Sequence, residues 1–303
     1  MLRPTGSWVA LATPFTEAGK VDFAGFERLI DFQIENGTQG LLIMGSTGEP
    51  TLLTPDERRE ILDRVCAYAK GKIPVFAGTT CGSTQETIEL SRYAEQARAN
   101  GLLLLVPAYS QPPQEGLYNH FKTVAEAVSI PIAIYNNPSR VGVNIDPATI
   151  IRLAEIPNIV ADKEAMGNIG QLVEVLRGTN GRLHLLCCDY PGYGLILPTL
   201  ALGGHGTANI AGNIIPREMA EMSRPWQSWD DARRTKELYF KYVPLLSALY
   251  SLSNPIAVKA ALRLMGLPGG PVRRPLVELS GEKLRQLDQL LESLEVKARY
   301  KLS

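Results

Sequence analysis

Short apolar runs return along this chain at a regular interval, and that regularity limits the fold more than any single residue does. The runs end near Leu11, Met44, Ala77, Val106, Tyr135, Lys163, Cys188 and Asn209, so successive ends lie 21 to 33 residues apart. Each interval has room for one strand, one helix and two loops. Several runs are apolar at every position, as in Leu102-Leu103-Leu104-Leu105-Val106, the pattern of a strand covered on both faces. Eight strands, each followed by a helix, predict a closed α/β fold, the (β/α)8 TIM barrel. The rival is an open doubly wound sheet, which usually has fewer strands and an N-terminal phosphate loop that this sequence lacks.

Helix starts are marked chemically. Thr54-Pro55-Asp56-Glu57 offers an N-cap, a proline for the first turn and a capping-box glutamate. Ser83-Thr84-Gln85-Glu86 reads as a second capping box, and Asp146-Pro147 repeats the cap-plus-proline signal. Beyond residue 224 the alternation stops. Residues 226–249, 254–265 and 280–296 read as helices without strands between them, with Asn254 and Ser280 as caps. The expected division is a barrel domain over 1–224 and a C-terminal three-helix appendage over 225–303.

Bulk composition removes several function classes. Thirty-one Lys+Arg balance 31 Asp+Glu, so no basic excess invites nucleic acid or an anionic membrane. No charged leader precedes a long apolar stretch within residues 1–20, and the expectation is a cytoplasmic protein with no membrane span. Cys66, Cys81, Cys187 and Cys188 show no CxxC spacing and read as reduced thiols. The histidines His120, His184 and His205 are too scattered to suggest a metal site. Neither a metal nor an organic cofactor is expected.

Three groups able to do chemistry follow strand-like runs. Lys163 ends Asn158-Ile159-Val160-Ala161-Asp162-Lys163, and Tyr135 ends Ile130-Pro131-Ile132-Ala133-Ile134-Tyr135. Leu41-Leu42-Ile43-Met44 runs straight into Gly45-Ser46-Thr47-Gly48-Glu49. A lysine must be neutral to attack a carbonyl, and burial disfavours the charged form. Alternation puts Ile159, Ala161 and Lys163 on one face and Val160, Asp162 and Glu164 on the other, so neither acid is the partner of Lys163. A phenol at a strand end can shuttle protons. Glycines and consecutive amides suit a small carboxylate, with Ser46 and Thr47 adding hydroxyls. Arg140, in Asn136-Asn137-Pro138-Ser139-Arg140, can grip a second carboxylate. Tyr109 sits in a stiff loop, Pro107-Ala108-Tyr109-Ser110-Gln111-Pro112-Pro113. Taken singly, Lys163 and Arg140 read as solvated cations, Tyr135 as a half-buried ring and the glycine loop as a turn. In a barrel, all of them fall at one mouth.

These segments resemble the dihydrodipicolinate synthase / N-acetylneuraminate lyase family. The resemblance rests on Gly45-Ser46-Thr47-Gly48-Glu49, Tyr135-Asn136-Asn137-Pro138-Ser139-Arg140-Val141-Gly142 and Lys163-Glu164-Ala165-Met166-Gly167-Asn168. Gly203-Gly204-His205-Gly206 and Asn254-Pro255-Ile256-Ala257-Val258-Lys259 also match. It implies that Lys163 forms an imine with pyruvate, that Tyr135 relays protons, and that Ser46 and Thr47 hold the pyruvate carboxylate and link the relay. It implies that Tyr109 crosses a subunit interface into a neighbour's site, within a homotetramer built as a dimer of dimers. Gly45 and Ala208 complete the expected substrate-binding set. Pro138-Ser139-Arg140 and Gln114-Glu115-Gly116-Leu117-Tyr118 point to the synthase branch. There Arg140 binds aspartate semialdehyde, and the product is 4-hydroxy-tetrahydrodipicolinate for lysine and diaminopimelate biosynthesis.

Some positions depart from that pattern. Ser46 stands where threonine is usual, Cys188-Asp189-Tyr190 where Gly-Asp-Asp is usual, Ala161 for glycine, and Ala108-Tyr109 for a tyrosine pair. The lysine-feedback pocket of regulated members reads Pro55, Arg58 and Gly82 here, so feedback is not expected. Two other functions fit less of the pattern. A pyruvate-dependent aldolase acting on a sugar-derived 2-oxo acid would want hydroxyl-binding groups in place of Arg140. A non-catalytic ligand-binding barrel would not need Lys163, Tyr135, Ser46 and Tyr109 together.

Overall fold

Eight parallel strands close on themselves in sequence order in the computed structural model of the protein, which describes residues 1–300. They are β1 (Gly6–Ala10), β2 (Gly40–Ile43), β3 (Val75–Gly78), β4 (Gly101–Leu105), β5 (Ile132–Asn136), β6 (Ile159–Glu164), β7 (His184–Cys187) and β8 (Gly206–Asn209). Each ends within one residue of the position expected from its apolar run. The TIM barrel read from the sequence is the fold.

Register places the chemistry. Leu105 pairs with Tyr135, Tyr135 with Lys163, and Lys163 with Leu186. Paired residues of parallel strands point to the same face, so these four side chains form one inward row across β4–β7. Lower in the barrel, Trp8 of β1 meets Phe76 of β3 edge-on, with ring centroids 4.8 Å apart. A contact between alternate strands is made only through the interior, as in the layered filling of such barrels. The lower barrel is therefore packed, and the inward row that carries Lys163 and Tyr135 lies toward the C-terminal mouth.

The helix signals hold in part. Thr54 and Glu57 form a reciprocal capping box at the head of the helix Pro55–Ala69. Ser83 caps Thr84–Gln96, but the Glu86 carboxylate accepts from the Ser83 hydroxyl rather than its backbone N–H. Asp146 occupies the cap position before Pro147 without making a side-chain cap bond, and so does Ser280. Asn254 is not a cap: its side chain is spent on the glycine loop.

The C-terminal helices are Trp229–Leu249, Ile256–Leu264 and Gly281–Ser293, followed by one further turn, Val296–Arg299. Their buried faces join the barrel in one continuous hydrophobic cluster running from Trp8 through Leu246 and Leu262 to Leu291. Among the described residues no helix is long and apolar enough to cross a membrane, and no cluster of three or more His, Cys, Asp or Glu is placed to hold a metal ion.

Candidate active site

The barrel mouth holds a cavity of about 370 Å³, lined among others by Lys163, Tyr135, Ser46, Arg140 and Ala208. The amine of Lys163 lies 4.2 Å from the centroid of the Tyr135 ring, as expected of neighbours on strands about 4.8 Å apart. Lys163 is only 4% exposed. No carboxylate comes within ion-pair distance of it among the described residues. No ion pair therefore ties up the amine.

The acids beside it in the chain face away, as strand alternation requires. Glu164 accepts from Asn136 Nδ2 at 3.1 Å and from Gln171 Nε2 at 2.8 Å, behind the barrel wall. Burial raises both Asp162 and Glu164 above the usual carboxylate range, and the neighbouring Glu164 discourages ionisation of Asp162 further. Cys188 also lines the cavity, but burial lifts its thiol to about 12. It stays protonated at neutral pH and does not compete with the amine as a nucleophile.

The glycine loop is built under strain and clamped. Met44 and Glu49, which bracket it, both have left-handed backbone, with φ of 50° and 54°, a conformation that costs a non-glycine residue about 1–2 kcal/mol. Three bonds hold it there. Thr13 Oγ1 donates to the Gly48 carbonyl at 2.8 Å, Lys259 Nζ to Glu49 Oε1 at 2.8 Å, and the Arg273 amide to Glu49 Oε2 at 2.9 Å. Asn254 Nδ2 donates to Thr47 Oγ1 at 2.9 Å and reaches Ser46 Oγ at 3.5 Å. The residues 45–48 thereby present Ser46 to the cavity, while Thr47 is fully buried.

The expected residues separate into three groups. Lys163, Tyr135, Ser46, Arg140 and Ala208 meet at the cavity. Gly45 and Thr47 lie behind the lining, and the Thr47 hydroxyl is turned to Asn254 rather than to the opening. Tyr109 is elsewhere: it is 99% exposed, has φ of 76°, and does not reach the cavity of its own chain. The Tyr135 hydroxyl accepts from Asn137 Nδ2 at 2.8 Å, and Asn137 Oδ1 in turn accepts from Ser139 at 2.7 Å. Ser46 is thus not the phenol's hydrogen-bond partner.

Sequence reasoning passed over Asn137, Asn254, Tyr193 and Tyr250 as site residues and noted Tyr190 only as a departure from the family pattern, yet all five line the cavity. Asn137 and Asn254 lay in quoted motifs, so a signal existed, though Asn254 was read as a cap. Tyr250 had none: it comes from the appended helices, and its hydroxyl donates to Asp189 at 2.6 Å across 61 residues of sequence. Asp189 also accepts from the amides of Ile210 and Ala211, tying the ends of β7 and β8 together.

The family model described as the dihydrodipicolinate synthetase family matches residues 3–294. The chain belongs to that family. Among curated members, the 4-hydroxy-tetrahydrodipicolinate synthase 1 of Halalkalibacterium halodurans is 42% identical over 279 residues, covering 92% of this chain and 93% of the relative. The 4-hydroxy-tetrahydrodipicolinate synthase of Methanocaldococcus jannaschii is 39% identical over 290 residues, covering 95% and 98%. The crystal structure of dihydrodipicolinate synthase from Aquifex aeolicus superposes with a TM-score of 0.92 at 39% identity, over 97% of this chain and 99% of that one. A monomeric dihydrodipicolinate synthase variant is also similar, with a TM-score of 0.91 at 35% identity, over 96% of this chain and 97% of that one. Dihydrodipicolinate synthetase family members thus resemble this chain over nearly its whole length, barrel and C-terminal helices together.

Proposed function

We propose that this protein is a 4-hydroxy-tetrahydrodipicolinate synthase, condensing pyruvate with L-aspartate semialdehyde through an imine on Lys163. The observation that carries the reading is the buried, unpaired amine of Lys163 against the ring of Tyr135, in a cavity whose other charged lining residue is Arg140. Names and lengths of the relatives agree with it.

Lys163 attacks the pyruvate carbonyl, and Tyr135 passes protons as the carbinolamine loses water. The resulting iminium draws electrons from the methyl group, which releases a proton and becomes the enamine carbon. That carbon attacks the aldehyde of the second substrate, and the aldehyde oxygen takes up a proton. The substrate's amine then adds to the iminium carbon, the bond to Lys163 breaks, and the ring closes with the lysine free again. The iminium is the electron sink of the cycle. Ser46 serves the pyruvate carboxylate, Arg140 the carboxylate of the semialdehyde, and the Gly45–Thr47 segment holds Ser46 in place. Ala208 forms part of the wall against which the small keto acid lies.

Tyr109 belongs to a neighbouring site in this reading. An exposed tyrosine in a left-handed conformation that makes no side-chain hydrogen bond among the described residues gains a target in an adjoining subunit. The assembly that follows is a homotetramer of two such dimers, in the cytoplasm. The division at residue 224 is kept as a division of labour, with the barrel bearing the reacting groups and the helices of 225–303 bracing the loops around them.

The test is product identity. Pyruvate and a panel of aldehydes are incubated with the enzyme and products identified by mass. The reading requires the aspartate semialdehyde adduct to dominate. Preference for sugar-derived aldehydes, retained when Arg140 is replaced by alanine, points instead to the aldolase function.

A further inference from the structure

No acidic side chain lines the cavity among the described residues, and its two basic residues are Lys163 and Arg140. The nearest buried acids are either bonded elsewhere or turned away, Asp162 facing outward from the strand that carries Lys163. Asp189 is held by two amides and the Tyr250 hydroxyl, and Glu164 is turned to the far side of the barrel wall. The amino group of an amino-aldehyde therefore finds no carboxylate here.

It finds a wall of phenol rings instead. Tyr190 meets Tyr193 edge-on at 4.9 Å between centroids, and Tyr250 at 4.8 Å. The wall is built in rather than incidental. A Cβ at Gly192 would come within 2.7 Å of the Tyr190 ring, and one at Gly167, in the loop after Lys163, within 2.9 Å of the Tyr193 ring. Both glycines leave the rings room to lie against the loop backbone, and Asp189 anchors the base of the stack through Tyr250. Tyr190 keeps 36% of its surface exposed at the cavity.

Resting on the synthase reading, we propose that the ring faces of Tyr190 and Tyr193 receive the amino end of the semialdehyde, and so select amino-aldehydes over their amine-free counterparts. A ring face attracts an ammonium ion through its quadrupole, most strongly where water is excluded. It also holds the proton less firmly than a carboxylate does. That suits an amine which must give its proton to water before it can close the ring. With Arg140 taking the carboxylate, the aldehyde is fixed at two ends and its carbonyl faces the enamine.

The experiment compares Tyr190→Leu with Tyr190→Phe. Initial rates are measured against aspartate semialdehyde and against pyruvate, together with inhibition by succinate semialdehyde, which is the same molecule without the amine. The leucine variant is expected to raise KM for aspartate semialdehyde by about 5- to 30-fold, the span of a partly to fully desolvated cation–π contact. KM for pyruvate and the inhibition constant of succinate semialdehyde should move less than about twofold on that scale. Phenylalanine, which keeps the ring, should rescue most of the loss. Tyr193→Leu is the second variant, expected to shift the same constant in the same direction. Unchanged KM for aspartate semialdehyde in both leucine variants overturns the proposal. So does equal weakening of the amine-free inhibitor, which would make the wall a packing surface. A wild-type enzyme inert toward aspartate semialdehyde overturns the function itself, and is told apart because it needs no variant.

Discussion

Lys259 Nζ lies 2.8 Å from Glu49 Oε1, and both side chains are wholly buried. One residue belongs to a C-terminal helix and the other closes the glycine loop, so this ion pair joins the appended helices to the floor of the substrate site. The Pro271 carbonyl accepts a second bond from the same amine at 2.6 Å. Burial draws Lys259 down to about 8, against the pull of Glu49. Removing one partner leaves an uncompensated buried charge. Lys259→Met should therefore lose about 3–5 kcal/mol of stability, read as a drop in urea midpoint. The double variant Lys259→Met, Glu49→Leu should regain much of that loss while pyruvate binding stays impaired.

Arg140 is exposed at the mouth, with only a 3.4 Å bond from its guanidinium to the Asn254 carbonyl. It is free to accept a carboxylate. Arg140→Ala should raise KM for the semialdehyde about 10- to 100-fold, from loss of a charge-assisted bond of roughly 1.5–3 kcal/mol. KM for pyruvate should change little. Lysine in its place should recover only part, since the paired donors of the guanidinium are lost. Steady-state rates against each substrate separate these outcomes.

The barrel was legible in the sequence because its strands are buried on both faces and so are apolar throughout. Lys163, Tyr135 and Ser46 were legible because they stand at the ends of such runs, and register then brings them together. What escaped was long-range. Asn254 looked like a cap because Asn before Pro commonly is one, yet its amide is drawn to Thr47 across 207 residues. Tyr190 showed only as a departure from the family pattern and Tyr193 not at all, since both lie in a short loop with no periodicity, and the space left by Gly192 and Gly167 reveals what they build.

Tyr109 gives a test of assembly. Tyr109→Phe and Lys163→Ala, each purified alone, should show little activity. Mixed, dissociated and reassembled, they should regain a measurable fraction, because some sites then combine an intact lysine with an intact neighbouring tyrosine. Absence of any recovery, with mixed species confirmed by native mass spectrometry, means that Tyr109 does not act across an interface.

All three histidines are depressed by burial, His120 and His205 to about 4 and His184 in the same direction. His184 and His205 also stack at 3.8 Å. The unfolded chain takes up these protons near pH 6.5 while the fold resists them, so stability falls as pH drops from about 6.5 toward 4. Glu164 acts in the opposite sense. Its raised value lets the fold keep a proton that the unfolded chain has lost, so its contribution declines as pH rises from about 4.5 to about 7. Single variants isolate the terms. His120→Leu should flatten the fall in unfolding free energy between pH 7 and pH 4.5, measured by urea titration, by an amount on the order of 1–3 kcal/mol.

The central claim is that Lys163 captures pyruvate covalently. Enzyme incubated with pyruvate and then reduced with borohydride should carry one reduced pyruvate on the peptide containing Lys163, located by tandem mass spectrometry. Lys163→Met treated in the same way should carry none. An unmodified Lys163 peptide in active enzyme, or an adduct on another lysine such as Lys259, contradicts the account.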